Sequence, residues 1–407
     1  MSRTLRRYVV PRAWRHRITS SSCSHRRFSM SPSTTKAQQG EDLMAWTPLH
    51  IKEEELLLSH TLPIGQTFRW VETQQDFYTG IIGSRAYQLE QLDDSLRYRV
   101  IARGKACEDD SVDREEDLQE LKDYFQLDLK LADFISHWSS CDERFKAVKD
   151  YYPGARLLRQ DPVECLFSFI CSSNNNIKRI HGMVNSLCRL YGSELELVDD
   201  AHESQQGEKL FMFPTLEQLS NASEETLRAN GFGYRAKFIT GSVKALNEKE
   251  EGGHQWLMSL RDVPYKEAAT ELMTLPGIGP KVAACICLFS LDKYEAIPVD
   301  THVWQLVTTH YRTDLKKKTL TPRLMDVVEN TLIDKFGPHA GWAHNILFLA
   351  ELADLKKRLP EKLQTPPKRK PAKGESSPKK KAKKKIKMEA KSEVKSEVKT
   401  EVKREGE

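Results

Sequence analysis

A proline-glycine turn between two helical patterns constrains the fold of this chain more than any other feature. Residues 263–275, VPYKEAATELMTL, have helical spacing, the turn PGIGP follows, and KVAACICLFSL resumes an apolar helix. The sequence therefore predicts a helix-hairpin-helix over residues 264–291. Gly277 and Gly279 leave backbone amides uncovered beside the start of the second helix, where the helix dipole favours an anion. Such a turn can hold a phosphate of DNA without using side chains.

Two residues that follow this turn are candidates for chemistry. Lys281 lies in the first turn of the second helix, where the dipole disfavours a cation and burial would lower its pKa. We therefore expect a nucleophilic amine at this position. Asp300, 19 residues later, precedes the apolar run THVWQLV. It fits a helix N-cap, and it equally fits a carboxylate that faces a sugar developing positive charge.

The remaining folded region changes pattern once. From Trp46 to about Arg103, short runs alternate apolar and polar residues, as strands of an antiparallel sheet do. From Glu115 to about Leu359 the spacing is helical. We therefore expect an α+β protein, with a small antiparallel β-sheet N-terminal domain (residues 43–158) followed by a mainly α-helical domain (residues 159–359). The polar insert at residues 202–209 reads as a surface loop.

The two ends of the chain are basic and of low complexity. Residues 1–42 begin with an Arg- and Ser-rich stretch without acids, which is typical of a mitochondrial transit segment or of a plain basic arm. Residues 360–407 are rich in Lys and Glu and bury too little apolar surface to fold. Their lysine clusters at 368–370 and 379–385 suit nuclear localisation or phosphate binding, with a solvated tail as the alternative. We expect disordered termini and both nuclear and mitochondrial localisation.

Composition excludes several classes of protein. No apolar run approaches the roughly 20 residues that cross a bilayer, so we expect no membrane partner. The eight cysteines form no CxxC pair, and we expect them to be reduced thiols. Neither a zinc-ligand spacing nor a phosphate-loop motif is present, so we expect no metal and no cofactor.

Several long motifs carry a family resemblance. LPGIGPKVAACICL followed by VDTHVW resembles the helix-hairpin-helix, Gly/Pro and Asp superfamily of DNA base-excision glycosylases. Within it, the chain is similar to the eukaryotic 8-oxoguanine DNA glycosylase/lyase family at LPIGQTFRW (62–70), FICSSNNNIKRI (169–180), GFGYRAKF (231–238) and GPHAGWAHNILF (337–348). The resemblance implies a monomeric bifunctional enzyme that flips out and excises 8-oxoguanine opposite cytosine in double-stranded DNA and has an abasic-site lyase activity. Ring-opened purines are an open further substrate.

The resemblance also implies roles at the lesion. Lys281 would attack C1′ of the damaged nucleoside and form a Schiff base that permits β-elimination. Asp300 would stabilise the charge on the sugar and orient the lysine. The carbonyl of Gly65 would accept a hydrogen bond from the N7 hydrogen of 8-oxoguanine. Cys285 and Phe348 would sandwich the flipped base, unless they are ordinary core residues.

Further residues would contact DNA by the same resemblance. Asn174 would hydrogen-bond the orphaned cytosine, Tyr234 would wedge into the stack, and His302 would touch the 5′ phosphate of the lesion, with a capping or surface histidine as the alternative. The remaining expected contacts are Arg179 and Arg235 to the cytosine, Gly277 and Gly279 to the DNA backbone, and Pro298 and His344 to the substrate.

Three positions depart from the family pattern, so the base selectivity of this chain is open. His344 replaces a glutamine that reads the Watson-Crick edge, Glu351 replaces an aspartate that partners the phosphate-contacting histidine, and Ala284 replaces an acid.

Rival classes are separated by a few residues. A relative with an iron-sulfur cluster would need four clustered cysteines after Asp300, and this sequence has no cysteine beyond Cys287. The alkyl-base glycosylases of the superfamily lack a lysine at the position of Lys281, so its presence argues against that class. The alternative from a different class is a non-catalytic sensor that binds damaged DNA without turnover.

Overall fold

The computed structural model of the chain describes residues 45–93, 95–104, 114–198 and 209–366. The predicted targeting segment, most of the predicted loop at 202–209 and the Lys/Glu-rich tail from 367 onward lie outside the described residues. Within the described ranges, no helix is long and apolar enough to cross a membrane. The division of the chain at residues 158 and 159 stays a prediction.

An antiparallel sheet forms first in the chain, as the alternating pattern predicts. Its strands are β1 (Thr47–Pro48), β2 (Trp70–Gln74), β3 (Phe77–Ile82), β4 (Arg85–Gln91), β5 (Leu96–Arg103) and β6 (Glu196–Leu197). The strand order is β1-β5-β4-β3-β2, so consecutive strands β2 to β5 form a meander. In β5, alternation is visible because Leu96, Tyr98 and Val100 are buried while the arginines between them are less so.

One strand comes from outside the alternating region. β6 pairs with the end of β5 through the registers Ala102 to Leu197 and Arg103 to Glu196. The helical part of the chain thus returns to the sheet, which the sequence analysis did not anticipate.

Helices make up most of the remaining described chain. The first group is α1 (Leu58–Thr61), α2 (Arg114–Phe125), α3 (Leu131–Cys141), α4 (Glu143–Val148), α5 (Pro162–Ser172), α6 (Ile177–Tyr191), α7 (Leu216–Leu219) and α8 (Glu224–Ala229). The second group is α9 (Arg235–Asn247), α10 (Gly253–Ser259), α11 (Tyr265–Leu272), α12 (Pro280–Ser290), α13 (Thr301–His310), α14 (Pro322–Phe336), α15 (Ala340–Leu349) and α16 (Ala353–Lys356). The expectation of an antiparallel sheet followed by a helical domain is confirmed.

Three apolar clusters are present among the described residues, and two of them are large. One lies between the sheet and α2 and includes Trp70, Tyr87 and Phe125. The larger one fills the space between the helices of the second half, but it also contains Ile64 and Phe68 from the segment before β2. Because side chains of that early segment are buried among the late helices, the sheet region and the helical region share packing.

The helix-hairpin-helix forms as predicted, from α11, a turn and α12. Gly277 has φ +85°, and a Cβ on it would lie 2.6 Å from Cγ of Phe238 on α9, so the turn needs glycine for both conformation and space. The Ser242 hydroxyl, also on α9, donates to the Pro276 carbonyl at 2.9 Å. α12 begins at Pro280, which suits the first helical position because proline has no amide hydrogen. The hairpin is therefore held rigidly against α9.

Candidate active site

A cavity lies between the hairpin helix α12, the helix α15 and the loop before β2. Its empty volume, counted together with the solvent space at its open mouth, is about 450 Å³. It brings together seven residues that the sequence analysis selected, namely Gly65, Lys281, Cys285, Pro298, Asp300, His344 and Phe348. These come from segments that are as much as 283 positions apart in the sequence (65 to 348), so only the folded chain creates this arrangement.

Lys281 projects from the first turn of α12 into this cavity. Its Nζ lies 5.4 Å from the ring centroid of Phe169 on α5, which favours the ammonium. The expected lowering of the Lys281 pKa is wrong. The pKa is raised, because the sulfur of Cys285, which accepts a hydrogen bond from the ammonium, and then the carboxylate of Asp300 favour the charged form more than burial disfavours it. The free protein therefore holds an ammonium that must release a proton before it can act as a nucleophile.

Cys285 lies one helical turn after Lys281 on the same face of α12. Its side chain is buried, and burial raises the pKa of the thiol despite the neighbouring lysine. A buried protonated thiol is a small, polarisable, poorly reactive group. It can therefore form an apolar wall of the cavity beside the amine.

Asp300 is both a helix cap and a wall of the cavity. Its Oδ1 accepts hydrogen bonds from the backbone amides of His302 at 2.7 Å and Val303 at 3.0 Å, so the N-cap interpretation is confirmed. The same side chain lines the cavity with Lys281. The positive end of the α13 dipole stabilises a carboxylate at this place, so the cap fixes a negative charge beside the amine.

His344 and Asn345 supply unsatisfied polar atoms to the cavity. Both side chains are buried on α15. Within the described chain, three of their atoms have no hydrogen-bond partner: the two ring nitrogens of His344 and the Nδ2 of Asn345. Burial lowers the pKa of His344 to about 4, although the Asp300 carboxylate acts in the opposite direction. The imidazole is therefore neutral near pH 7, with one donor nitrogen and one acceptor nitrogen.

The buried neutral His344 predicts a loss of stability in acid. Its pKa is about 4 in the folded chain against an ordinary 6.5, so the unfolded chain binds the proton more tightly and stability falls as pH decreases from 6.5 towards 4. We expect His344→Gln to remove about 3 kcal/mol of this pH dependence. Urea unfolding of both proteins at about pH 7 and pH 4 measures it. If the free energy of unfolding fell by the same amount between pH 7 and pH 4 in both proteins, His344 would not be a buried neutral histidine.

Gly65 forms the edge of the cavity nearest to the start of α6. It has φ +90°, and a Cβ on it would lie 3.3 Å from Cδ1 of Ile177. This conformation is one that glycine adopts without strain and that other residues rarely adopt. The Ile177 side chain thus covers Gly65 directly and joins the cavity to the loop at Asn174.

A second cluster gathers the residues expected to contact the unpaired base. Asn174 is exposed at φ +49°, in the loop between α5 and α6. The Tyr234 hydroxyl donates to the Ser173 carbonyl at 2.9 Å, and its ring stays 47% exposed. Arg179 is exposed and donates to the Gly231 carbonyl at 3.3 Å. The structure therefore places these side chains on one surface.

Arg235 differs from its neighbours in this cluster. It is only 2% exposed, and its guanidinium donates to the carbonyls of Ser173 and Asn174. It also lies 4.6 Å from the centroid of the Tyr234 ring. In the protein alone, Arg235 therefore fixes the loop that presents Asn174, and its Nε has no partner among the described residues.

The other singled-out residues lie around the cavity. His302 is exposed, and its ring is 6.2 Å from that of Phe348, edge to face. Glu351 is buried and accepts a hydrogen bond from the Thr365 hydroxyl, with Lys356 at 3.5 Å and Arg144 at 4.0 Å, so within the described chain its partners are these groups rather than His302. Ala284 lines a second, larger cavity, which Lys281 also borders.

Sequence reasoning missed several residues of the cavity wall. Phe169 stacks on Phe289 with ring centroids 5.5 Å apart, and both line the cavity together with Ile64, Gln66 and Asn345. Phe169 opens the motif FICSSNNNIKRI, which was a usable signal. Asn345 directly follows His344 in a helix that is buried almost all round, so no periodicity marked it.

Comparisons with known proteins agree with this geometry. Residues 48–166 match the family described as 8-oxoguanine DNA glycosylase, N-terminal domain, and residues 167–330 match the HhH-GPD superfamily base excision DNA repair protein. The Arabidopsis thaliana protein named N-glycosylase/DNA lyase OGG1 is 46% identical over 309 residues, which is 75% of this chain and 80% of that protein. The Saccharomyces cerevisiae N-glycosylase/DNA lyase is 33% identical over 341 residues, covering 75% of this chain and 85% of the relative.

A solved structure extends the similarity to the fold. The Clostridium acetobutylicum 8-oxoguanine glycosylase/lyase, in complex with double-stranded DNA containing cytosine opposite to 8-oxoG, superposes with a TM-score of 0.63. The two are 26% identical, and the match covers 78% of this chain and 99% of the other.

Proposed function

The chain belongs to the 8-oxoguanine DNA glycosylase family within the HhH-GPD base excision DNA repair superfamily, and from this membership we propose how its cavity performs the reaction. The protein is a bifunctional DNA N-glycosylase and abasic-site lyase that acts on 8-oxoguanine opposite cytosine in double-stranded DNA. The observation that carries the proposed mechanism is that Lys281 and Asp300 line one cavity together with Gly65, His344 and Phe348.

Lys281 is the proposed nucleophile. Its ammonium first releases a proton, and the amine then bonds to C1′ of the lesion nucleoside. The bond between C1′ and the base breaks, and its electron pair leaves with the base, which takes up a proton. The sugar ring then opens: the C1′–O4′ bond breaks, O4′ takes up the second proton of the amine, and the nitrogen lone pair forms the C=N bond of a protonated Schiff base that joins Lys281 to C1′. The imine then withdraws electrons, a proton leaves C2′, and the 3′ phosphate departs by β-elimination.

Asp300 is the proposed electrostatic partner of this step. As the bond to the base stretches, positive charge develops on the sugar, and a carboxylate fixed beside it stabilises that charge. Two backbone amides hold Oδ1 in place, so little reorganisation is needed when the charge appears. The same negative charge holds the Lys281 ammonium in the cavity before reaction.

The lesion enters this cavity only after it has left the duplex, which costs a few kcal/mol of stacking and pairing. Cys285 and Phe348 are proposed to contact the two faces of the base, and the Gly65 carbonyl to accept the N7 hydrogen. Neutral His344 offers one donor and one acceptor to the Watson-Crick edge. Ring-opened purines that keep the same edge are proposed as further substrates.

Contacts outside the cavity are proposed to hold the opened duplex. The hairpin at Gly277 and Gly279 and the first turn of α12 suit a backbone phosphate, because amide hydrogens and the helix dipole point there. Tyr234 is the exposed aromatic residue available to fill the vacated stack, and Asn174 lies beside it to pair with the cytosine. Arg179 and Arg235 are proposed to contact that cytosine, and His302 the phosphate next to the lesion.

Gly65→Ala tests the proposed hydrogen bond from the N7–H of 8-oxoguanine to the Gly65 carbonyl. A Cβ at φ +90° costs roughly 1–2 kcal/mol and presses on Ile177, so the carbonyl at residue 65 should move. We expect single-turnover excision of 8-oxoguanine to fall about tenfold, while cleavage of an abasic site persists because no base is read there. Gly252→Ala has similar backbone strain at φ +85° outside the cavity and serves as the control. Equal effects of both substitutions would mean that only stability changed.

The direct experiment on the function is a single-turnover assay of duplexes that contain 8-oxoguanine, guanine or ring-opened guanine opposite cytosine. Borohydride is added in parallel to reduce a Schiff base to a stable adduct. We expect release of 8-oxoguanine, a trapped complex and no release of guanine. Tight binding with neither release nor trapping would instead identify a damage sensor.

Localisation in both nucleus and mitochondrion is part of the proposal. It is supported by the Arg- and Ser-rich composition of residues 1–42 and by the lysine clusters at 368–370 and 379–385. Fluorescent fusions of the full chain, and of chains lacking either end, test it. Loss of mitochondrial signal with the first segment and of nuclear signal with the second is the expected result.

A further inference from the structure

Asn345 lines the lesion cavity but takes no part in the chemistry proposed above. Its side chain is 5% exposed, and its Nδ2 has no hydrogen-bond partner within the described residues. Gln66, the other side-chain amide of the cavity wall, behaves differently. Its Nε2 donates to backbone carbonyls at 2.8 and 2.9 Å, and its Oε1 accepts from a backbone amide at 3.0 Å. Only one of the two amides is therefore used by the fold.

A buried donor without an acceptor is destabilising, and folded proteins contain few of them. Asparagine is also a weak helix former, and this one lies in the middle of the helix AGWAHNILFL. Neither packing nor helix propensity accounts for the residue. An acceptor that arrives with the ligand would account for it, because the amide then gains its missing partner.

The helix geometry places Asn345 at a defined edge of the ligand. Positions 344, 345 and 348 are neighbours on one side of α15, and all three side chains line the cavity. A flat ring that packs against Phe348 therefore presents one edge to both His344 and Asn345.

We propose that Asn345 donates a hydrogen bond to the carbonyl oxygen at C6 of the flipped purine and thereby selects 6-oxopurine lesions over 6-aminopurine lesions. This inference rests on the proposed function and deepens it. A 6-oxopurine offers an acceptor oxygen at C6 beside an N1–H donor, which matches an amide donor beside the acceptor nitrogen of neutral His344. A 6-aminopurine presents a donor at C6 instead, which faces the donor Nδ2 when the Asn345 amide keeps the orientation that it has in the structure, and such a mismatch discriminates strongly.

The test compares three lesions opposite cytosine under single-turnover conditions. 8-Oxoguanine and 8-oxohypoxanthine both carry the C6 carbonyl, and the second lacks the exocyclic N2 amino group, whereas 8-oxoadenine carries an amino group at C6. Wild-type protein should excise both 6-oxopurines much faster than 8-oxoadenine. Asn345→Leu, which keeps size and removes the donor, should slow both 6-oxopurines by about 10-fold to 100-fold and leave 8-oxoadenine unchanged.

Two further variants and one further substrate complete the design. Asn345→Ala replaces the leucine variant if that protein does not fold, and Asn247→Leu makes the same substitution at an exposed position on α9 and should leave all rates unchanged. Abasic DNA contains no base, so the borohydride adduct that the wild-type protein and Asn247→Leu form with it reports the Schiff-base chemistry separately from base recognition. A wild-type protein that forms no adduct would overturn the proposed function itself. Unchanged excision of 8-oxoguanine by the Asn345 variants, or equal loss on all three lesions, would overturn the role of Asn345 alone.

Discussion

Lys281→Gln is expected to abolish both release of 8-oxoguanine and cleavage at the abasic site. An amide cannot form the Schiff base, and loss of a catalytic nucleophile lowers the rate by about 10⁴-fold or more. The glutamine side chain is polar and similar in length to the lysine side chain, so the cavity should keep its shape. Single-turnover excision and borohydride trapping measure the two activities separately.

Binding provides the control for this substitution. Fluorescence anisotropy with a lesion duplex should give an affinity close to that of the wild type, since most of the proposed DNA contacts lie outside the cavity. Lys244→Gln removes an exposed lysine whose Nζ lies 3.9 Å from Glu248, and it should leave both activities intact. Wild-type release of the base by Lys281→Gln would show that another group attacks C1′.

Asp300→Asn is expected to slow base release by about 10²-fold to 10³-fold, because the side chain keeps its shape and loses the charge that faces the sugar. Asparagine caps a helix as well as aspartate does, so the start of α13 should remain intact. Thermal unfolding together with single-turnover kinetics separates the two roles of this residue.

Asp300→Ala gives the complementary result. It removes the cap as well as the charge, and it should cost a further ~1 kcal/mol of stability. If Asp300→Asn reacted at the wild-type rate while Asp300→Ala was merely less stable, the residue would be only a cap.

The sequence predicted those parts of the fold in which local pattern and tertiary environment agree. The hairpin was predictable because the turn PGIGP interrupts two apolar helices, and α11 and α12 lie within the expected range of 264–291. The meander was predictable because short runs with strand character are separated by turn residues, and β5 alternates buried and half-buried residues over its first five positions. β6 was not, since two residues are too few to show alternation, and its pairing with β5 depends on the folded chain.

The site was predictable to a similar degree, with two physical exceptions. Gly65, Lys281 and His344 meet in one cavity as expected, because long motifs marked each of them. The direction of the Lys281 pKa could not be read from its helix position, since the neighbours that raise it are known only once Cys285 and Asp300 are placed in space. Asn345 was hidden because 9 of the 10 residues of α15 are buried, which removes any amphipathic pattern.

The wide spacing of the cavity walls along the chain has a consequence for protein synthesis. The ribosome delivers the chain from its N-terminus, so Gly65 leaves first, Lys281 and Asp300 much later, and α15 close to the end of the folded region. A nascent chain that ends at α13 already contains the Lys281 amine and the Asp300 carboxylate. It lacks α15, which carries His344 and the other side chains proposed to bind the base. The cavity therefore cannot be complete before residue 349, the end of α15, has been synthesised. A prematurely terminated polypeptide would carry the nucleophile without the means to choose its target.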